Sequence, residues 1–147
     1  MTEAEQNMPL LLTGARRWFE DALEASMRAA GEQPVSSAQA QVFACLDTDG
    51  TTVSELARRI GITRQSAHQA VHSLVAMGLL EQIPDPSSGR SRLIRMTAEG
   101  TRVHHRAQAT LTVIEGVLAE RIGRPSATAL RAALTLPRGE PPVVRAP

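Results

Sequence analysis

The segment from Thr52 to Thr97 constrains the fold of this chain most strongly, because it holds two short helical patterns separated by a glycine. Thr52 and Glu55 form the capping-box pattern, in which the hydroxyl accepts from the helix backbone and the carboxylate reaches back to the cap residue. Gly61 is expected to end this helix, and Thr63 to cap the next one almost at once. Two helices joined by a turn of about three or four residues that contains glycine are typical of a helix-turn-helix.

The residues that follow predict a β-hairpin. Gly78 is expected to end the second helix, and two runs rich in β-forming residues flank the polar loop Asp85–Ser91. Gly89 is expected to form the tight tip of the hairpin, with Arg90 next to it. A helix-turn-helix followed by such a wing is a winged helix-turn-helix, which predicts that the chain binds duplex DNA.

Helical patterns lie on both sides of this segment, so the predicted fold class is mainly α with a small β-wing. Apolar residues recur at steps of three and four, and serine, threonine, proline and glycine mark the ends of the patterns. The predicted flanking helices are Leu10–Ala30 with Pro9 at its start, a short helix from Ser36 or Ser37 to about Leu46, a long helix from Ala98 to about Ile122 capped by Thr97, and a last helix from Ser126 to about Leu136.

These elements divide the chain into four segments. They are an N-terminal dimerisation helix (1–35), the winged helix-turn-helix (36–97), C-terminal dimerisation helices (98–136) and a flexible proline-rich tail (137–147). The terminal helices carry more apolar surface than a small winged module covers. We therefore expect a homodimer in which terminal helices of two chains pack together, with its two recognition helices facing half-sites roughly 34 Å apart.

Charge is distributed unevenly along the chain, although the formal net charge is only +1. Residues 52–106 hold eight arginines and four acidic residues, whereas the rest holds eight arginines and eleven acidic residues. Basic charge thus concentrates in the winged segment, as a contact with phosphates requires. A single cysteine excludes a disulfide framework, and no apolar run is long enough to span a membrane. The acidic N-terminal residues 1–8 do not resemble a secretory signal, so we expect a cytoplasmic protein without membrane contact.

The second helix of the helix-turn-helix supplies the candidate DNA contacts. Arginine can form two hydrogen bonds with the edge of a guanine, and glutamine can form two with the edge of an adenine. Arg64, Gln65 and Gln69 are therefore expected to contact base edges. Thr63 and Ser66 are expected to contact phosphates. The alternative for each residue is an ordinary solvated polar side chain. The candidates in this helix are Thr63, Arg64, Gln65, Ser66, His68, Gln69 and Ser73.

Arginines on the wing supply a second set of candidates. Arg90 is expected to enter a minor groove, where narrow A·T tracts attract arginine. Arg92 and Arg95 lie on the returning strand. Arg92 is expected to contact the DNA backbone, whereas Arg95 is either a DNA contact or a solvated strand residue.

The chain resembles the MarR family of winged helix-turn-helix transcriptional regulators. The residues that carry the resemblance are VSELARRIGITRQSAHQAVHSLVAMGLL, the wing residues Asp85, Gly89 and Arg90, and the segment Met96–Gly100. The resemblance implies a triangular homodimer that binds a pseudo-palindromic operator in double-stranded DNA, usually as a repressor. It also implies release of DNA when a small aromatic or phenolic effector binds between the dimer helices and the winged domain.

Effector-binding residues follow only from this resemblance, which implies a pocket lined by the first two helices and the start of the long later helix. The candidates are Trp18, Phe19, Met27 and Phe43, and their alternative is ordinary core packing. The recognition helix departs from the family pattern. Gln69 and Ser73 stand where many members have a basic residue and His72 where an aspartate is frequent, so a gentler salt dependence is expected.

Other functions have weaker support in the sequence. A winged helix that binds only proteins is one alternative, and a repressor that senses oxidants through Cys45 is another, although a lone cysteine among apolar neighbours is typical of a core. His68 and His72 have a spacing that suits a metal, but nearby residues do not complete a tetrahedral site. We expect His68 near DNA and His72 against the wing or another helix, with no metal and no cofactor. Because residue patterns for catalysis are absent from the sequence, we do not expect an enzyme.

Overall fold

The computed structural model describes residues 6–145, so residues 1–5 of the predicted N-terminal segment and residues 146–147 of the predicted tail lie outside it. The described residues form two compact units, one ending at Leu111 and the other beginning at Thr112. The predicted order of helices and strands is confirmed. The elements are α1 (Met8–Ala29), α2 (Ser37–Cys45), α3 (Val53–Ile60), α4 (Arg64–Ala76), β1 (Leu80–Asp85), β2 (Ser88–Met96), α5 (Ala98–Ile122) and α6 (Arg124–Thr135).

Side-chain caps begin the helices of the winged module as the sequence predicts. The Thr63 hydroxyl accepts from the Ser66 backbone N–H, and Thr52 does the same for Glu55. The second half of the capping box is absent at α3, because the Glu55 carboxylate accepts from Arg58 and Arg59 instead. Gly61 ends α3 in the left-handed conformation with φ of 79°, which residues with a Cβ rarely adopt. The sharp turn between α3 and α4 thus follows from local chemistry.

The core of the first unit lies where α2, α3 and α4 meet the base of the hairpin. Met27 from α1 and Val103 from α5 complete it, so both flanking helices contribute a buried side chain. Burial of such side chains is the main stabilising contribution to the fold. The largest fully buried side chains are Val42, Leu56, Val71, Leu74, Leu80 and Ile94.

The hairpin is anchored at its base. Thr51, buried before α3, exchanges two backbone hydrogen bonds with Ile94 of β2, at 2.9 and 2.8 Å. Thr97 donates its hydroxyl proton to the Gly78 carbonyl at 2.6 Å and caps α5 through the Gly100 N–H. The bridge from Thr51 to β2 could not be predicted from the sequence, because its partners are 43 positions apart.

The hairpin turn differs from the prediction. The hairpin turn lies at Pro86–Ser87, because the strands stay paired as far as Asp85 and Ser88. Gly89 therefore lies within β2 rather than at the tip, and its φ is not positive.

The last helix also starts earlier than predicted. Gly123 is its N-cap and Pro125 occupies its first turn, so Ser126 lies inside α6 and does not cap it. Proline suits this position, since the first helical N–H groups have no partner within the helix.

The second unit contains the end of α5 and all of α6. Arg131 of α6 pairs with Glu115 of α5. Three leucines of α6 or its C-cap, Leu130, Leu134 and Leu136, are exposed by 41%, 46% and 65% of their surface. An amphipathic helix with this much exposed apolar surface normally packs against a partner.

Candidate functional site

Helix α4 presents a polar face to solvent. Ala67, Ala70, Val71 and Leu74 are its buried side chains, as the helical spacing predicts for Val71 and Leu74. Each candidate DNA-contacting residue of this helix is exposed: Thr63, Arg64, Gln65, Ser66, His68, Gln69 and Ser73. The seven side chains therefore lie on the accessible side of one helix, which is the geometry that a recognition helix needs.

Arg64 is held against the helix before it. Its Nε donates to the Ser54 hydroxyl at 2.9 Å, and its Nη2 donates to the same oxygen. Ser54 lies in the first turn of α3, so this contact ties the start of the recognition helix to the start of α3. This pairing could not be predicted from the sequence, because the two residues are ten positions apart.

Arg90 and Arg92 are exposed arginines of β2 that lie towards the end of the wing. Its turn is fixed by Asp85, whose carboxylate accepts from the hydroxyl and the backbone N–H of Ser87 at 2.7 and 2.9 Å. These hydrogen bonds, led by the hydroxyl, lower the pKa of Asp85. The tip is therefore a short ordered turn that keeps both arginines close to the end of the hairpin.

Arg95 is paired within the wing. It lies opposite Glu81 in the strand register, and its Nε donates to the Glu81 carboxylate at 2.7 Å. Cross-strand pairs of opposite charge stabilise a two-stranded sheet modestly. Of the two alternatives for Arg95, the structure favours the strand residue over the DNA contact.

Arginines of α3 are also paired with acidic groups. Arg59 donates to the Asp47 carboxylate at 2.9 and 3.0 Å and to the Cys45 carbonyl at 2.8 Å. Hydrogen bonds from Arg58 and then Arg59 lower the pKa of Glu55 to about 2. This network joins α3 to the end of α2, and in it the charges of both arginines are paired with carboxylates.

Ion pairs reduce the free basic charge of the winged segment considerably. Of the eight arginines between residues 52 and 106, five are paired with acidic side chains. Within residues 6–145 the structure gives no acidic partner to Arg64, Arg90 or Arg92. The unpaired basic charge therefore lies on the recognition helix and the wing.

A cavity of about 380 Å³ lies in the first unit, lined by α1, α2, the loop between them and the start of α5. Met27 and Phe43 line it, in agreement with two of the four effector candidates. Trp18 and Phe19 do not line it, because its α1 wall begins at Glu20, and their rings instead meet edge to face at 5.1 Å.

His104 of α5 also lines the cavity, and it was not among the effector candidates named from the sequence. Its ring stacks on Phe43 with centroids 5.9 Å apart and an angle of 17° between planes. Burial, with a smaller contribution from neighbouring His105, lowers the pKa of His104. The imidazole is thus disfavoured as a cation. The i+3 relation to Ala107, another lining residue, is the signal that identifies this face of α5.

An ion-pair cluster lies beside the cavity wall formed by the loop between α1 and α2. The Glu32 carboxylate, 8% exposed, accepts from Arg102 at 2.7 and 3.0 Å and from Arg106 at 2.8 Å. Hydrogen bonds from Arg102 and then Arg106 lower its pKa to about 2. The cluster fixes this loop to α5, since its partners are 70 or more residues apart in sequence.

The remaining candidates are placed as follows. Cys45 is half-buried and packs against the core. His72 is exposed, although the sequence predicted it against the wing or another helix. Within residues 6–145 there is no group of three or more side chains arranged to hold a metal ion. In the same part of the chain, none of the helices has the length and apolar character needed to cross a membrane.

Comparison with known proteins gives consistent results. Residues 33–91 match a family model described as MarR family. An uncharacterized protein of Mycobacterium tuberculosis (strain ATCC 25618 / H37Rv) is 29% identical over 99 residues, which are 67% of this chain and 69% of that protein.

Solved structures of regulators share the fold. Wild-type MarR from E. coli has a TM-score of 0.73 at 17% identity and covers 90% of this chain and 98% of its own. CouR from Rhodococcus jostii RHA1 bound to p-coumaroyl-CoA has a TM-score of 0.68 at 25% identity, covering 91% and 93%. The transcriptional repressor CouR bound to a 23-mer DNA duplex has a TM-score of 0.71 at 22% identity, covering 91% and 94%. The predicted winged helix-turn-helix fold is confirmed.

Proposed function

The chain belongs to the MarR family of winged helix-turn-helix regulators, and from this premise we propose that it is a sequence-specific DNA-binding repressor whose affinity for DNA is changed by a small-molecule effector. It would act in the cytoplasm on a pseudo-palindromic operator. Its solved relatives are named as transcriptional regulators rather than enzymes, and one of them is bound to a DNA duplex.

The observation that carries this proposal is the position of the unpaired arginines. Arg64 begins the recognition helix, and Arg90 and Arg92 lie near the end of the wing. These are the two elements with which a winged helix contacts the major groove and the adjacent minor groove or backbone. Because salt bridges hold the other arginines of the segment, the basic charge left for phosphates and bases is concentrated on the DNA-facing elements.

The candidate residues of α4 can then be assigned to particular contacts with DNA. Gln65 and Gln69 lie one helical turn apart, where each can contact an adenine edge, and Arg64 can fork onto guanine. Thr63 and Ser66 share a hydroxyl–hydroxyl contact of 2.8 Å at the cap, close to where a phosphate approaches a helix N-terminus. His68 and Ser73 flank this set on the same exposed side.

Exposed apolar surface on the terminal helices supports a homodimer. Leu10, Leu11 and Leu12 of α1 are exposed by 40–48% of their surface, as are the leucines of α6. Exposed leucines grouped on one helix in this way are typical of a contact with another protein chain. Pairing of these helices would place two winged modules on one duplex.

The cavity supports control by a small molecule. Its volume of about 380 Å³ lies within the range of roughly 300–1,000 Å³ that is usual for small-molecule sites. It lies between α1, α2 and the start of α5, so a bound molecule contacts α2 of the winged module and both flanking helices. A related regulator bound to p-coumaroyl-CoA supports an effector of this general kind for the family.

The proposal is tested by footprinting the purified full-length protein on fragments of its own genome, followed by measurement of its mass in solution. The expected result is protection of a site with two half-sites about one helical turn apart by a dimer. Arg90→Ala should weaken binding, whereas Arg138→Ala, a change at an exposed residue after α6, should leave the DNA contacts intact. A monomer that retains no duplex even at low salt would overturn the proposal.

A further inference from the structure

We infer that the cavity selects a flat aromatic ligand that carries a positive charge, such as an aromatic amidine or amine, over an aromatic carboxylate. This inference deepens the proposed function and rests on the cavity being the effector site. It depends on the side chains that line the cavity rather than on the chemistry of effectors in related proteins.

The walls of the cavity are mainly apolar. They exclude water from the ring of a ligand, and burial of an aromatic ring is the largest attraction that they offer. The larger apolar lining residues are Leu23, Met27, Val35, Phe43, Val103 and Leu111.

A stacked ring pair forms part of the lining. Phe43 and His104 lie nearly parallel, with centroids 5.9 Å apart. A phenyl ring attracts a cation through its quadrupole, which a carboxylate does not exploit. The ring pair thus favours a flat ligand and adds a preference for positive charge.

Three carboxylates of α1, those of Glu20, Asp21 and Glu24, lie on one side of the cavity, and none of its lining residues is an arginine or lysine. Glu20 and Glu24 pair with Arg16 and Arg28 at 3.6 and 2.6 Å, but neither arginine lines the cavity. Asp21 has no ion-pair partner among residues 6–145. The local field therefore attracts a cation.

An anionic ligand would lack a counter-charge in this cavity. His104 is the one lining residue whose side chain can take up a proton to become a cation, and its burial disfavours that charged form by lowering its pKa. The other polar lining residues are neutral serines and glutamines. Burying a carboxylate without a cationic partner is costly, because the lost hydration is not replaced.

The test uses three probes with the same ring and different charge: 2-naphthamidine, which is cationic, 2-naphthamide, which is neutral, and 2-naphthoate, which is anionic. Binding to the full-length protein is measured by calorimetry without DNA. We expect the amidine to bind at least about tenfold more tightly than the carboxylate, which corresponds to about 1.4 kcal/mol, with the amide between them. Equal or tighter binding of 2-naphthoate, or no binding of any probe at about millimolar concentration, would overturn the inference.

Three substitutions test whether the preference for the cationic probe arises in the cavity. Asp21→Asn should reduce the amidine-to-carboxylate ratio by about threefold, within the range for exposed charge pairs. Asp49→Asn removes the same charge from an exposed turn outside the lining and should leave the ratio unchanged. Ala107→Phe, with its fold checked by circular dichroism, should weaken all three probes by filling the cavity. An equal effect of Asp49→Asn would attribute the preference to overall charge and overturn the assignment.

Failure of this inference and failure of the regulatory function are distinguishable. A protein that prefers the amidine but binds no duplex keeps the cavity inference and loses the repressor function. A protein that binds its operator but prefers 2-naphthoate keeps the repressor function and loses the cavity inference.

Discussion

Gly100 of α5 lies directly against the backbone carbonyl of Leu79, since a Cβ built on this glycine would lie 1.9 Å from the Leu79 oxygen. The same carbonyl accepts from the Thr97 backbone N–H at 3.1 Å. The close approach holds the start of α5 against the start of the wing. It explains why the short segment Thr97–Gly100 tolerates only hydrogen at this position.

Gly100→Ala is therefore expected to destabilise the fold. The added methyl group must displace backbone, so the free energy of unfolding should fall by about 1–3 kcal/mol, as in other overpacked sites. Urea unfolding measures this change. Gly116→Ala in the same helix is the control, because its Cβ meets nothing within 4 Å. Alanine should stabilise α5 there by up to about 1 kcal/mol. Unchanged stability of Gly100→Ala would contradict the close packing.

Glu32→Gln is expected to remove stability in a pH-dependent way. The pKa of Glu32 is lowered from 4.5 to about 2 in the folded chain. Its contribution is thus fully present above pH 4.5 and is lost as the pH falls towards 2. The urea midpoints of wild type and variant should differ at pH 7 and converge near pH 2.

The control for this prediction is Glu120→Gln, a change at an exposed residue of α5. Its urea midpoint should follow the wild type across the same pH range. A gap between wild type and Glu32→Gln that stays constant down to pH 2 would show that the Arg102 and Arg106 contacts do not act through the ionised carboxylate.

Arg92→Ala and Arg95→Ala are expected to separate a DNA contact from a structural pair on the same strand. If Arg92 contacts one phosphate, its removal should make log K for operator binding less dependent on salt. The magnitude of the slope of log K against the logarithm of the salt concentration should fall by about 0.9. Arg95 is paired with Glu81, so its removal should leave the slope nearly unchanged. Fluorescence anisotropy of a labelled operator at several salt concentrations measures both slopes. A larger change for Arg95→Ala would reverse the assignment.

Ser54→Ala is expected to strengthen operator binding. In the free chain Arg64 donates twice to the Ser54 hydroxyl, and these bonds compete with a base contact. Their loss should raise affinity by up to about fivefold, which corresponds to about 1 kcal/mol, the net value of a hydrogen bond. The same substitution in an Arg64→Ala background should have no effect. Weaker binding of Ser54→Ala alone would indicate that Ser54 itself contacts DNA.

Features that depend on neighbouring residues could be predicted from the sequence. The caps at Thr52, Thr63 and Thr97 and the turn at Gly61 involve residues within about four positions, so their chemistry is visible in the pattern. The polar face of α4 follows in the same way, because helical periodicity alone decides which side chains are buried. The candidate recognition residues were therefore identified correctly as exposed.

Features that depend on distant residues could not be predicted. The ion pairs of Glu32 with Arg102 and Arg106 join residues 70 and 74 positions apart. The prediction placed the tip of the hairpin at Gly89, which was wrong. The register of the strands, in which Asp85 pairs with Ser88, decides where the chain reverses. The early start of α6 was within reach, since Pro125 is a better signal for a first turn than Ser126.

The bridge between Thr51 and Ile94 has a mechanical consequence for the winged module. Together with the Thr97 contacts to Gly78 and Leu79, it fastens the hairpin to the loop before α3 and to the end of α4. The base of the wing is therefore tied to the end of the recognition helix by hydrogen bonds. An effector that displaces either element is expected to reorient the other with it.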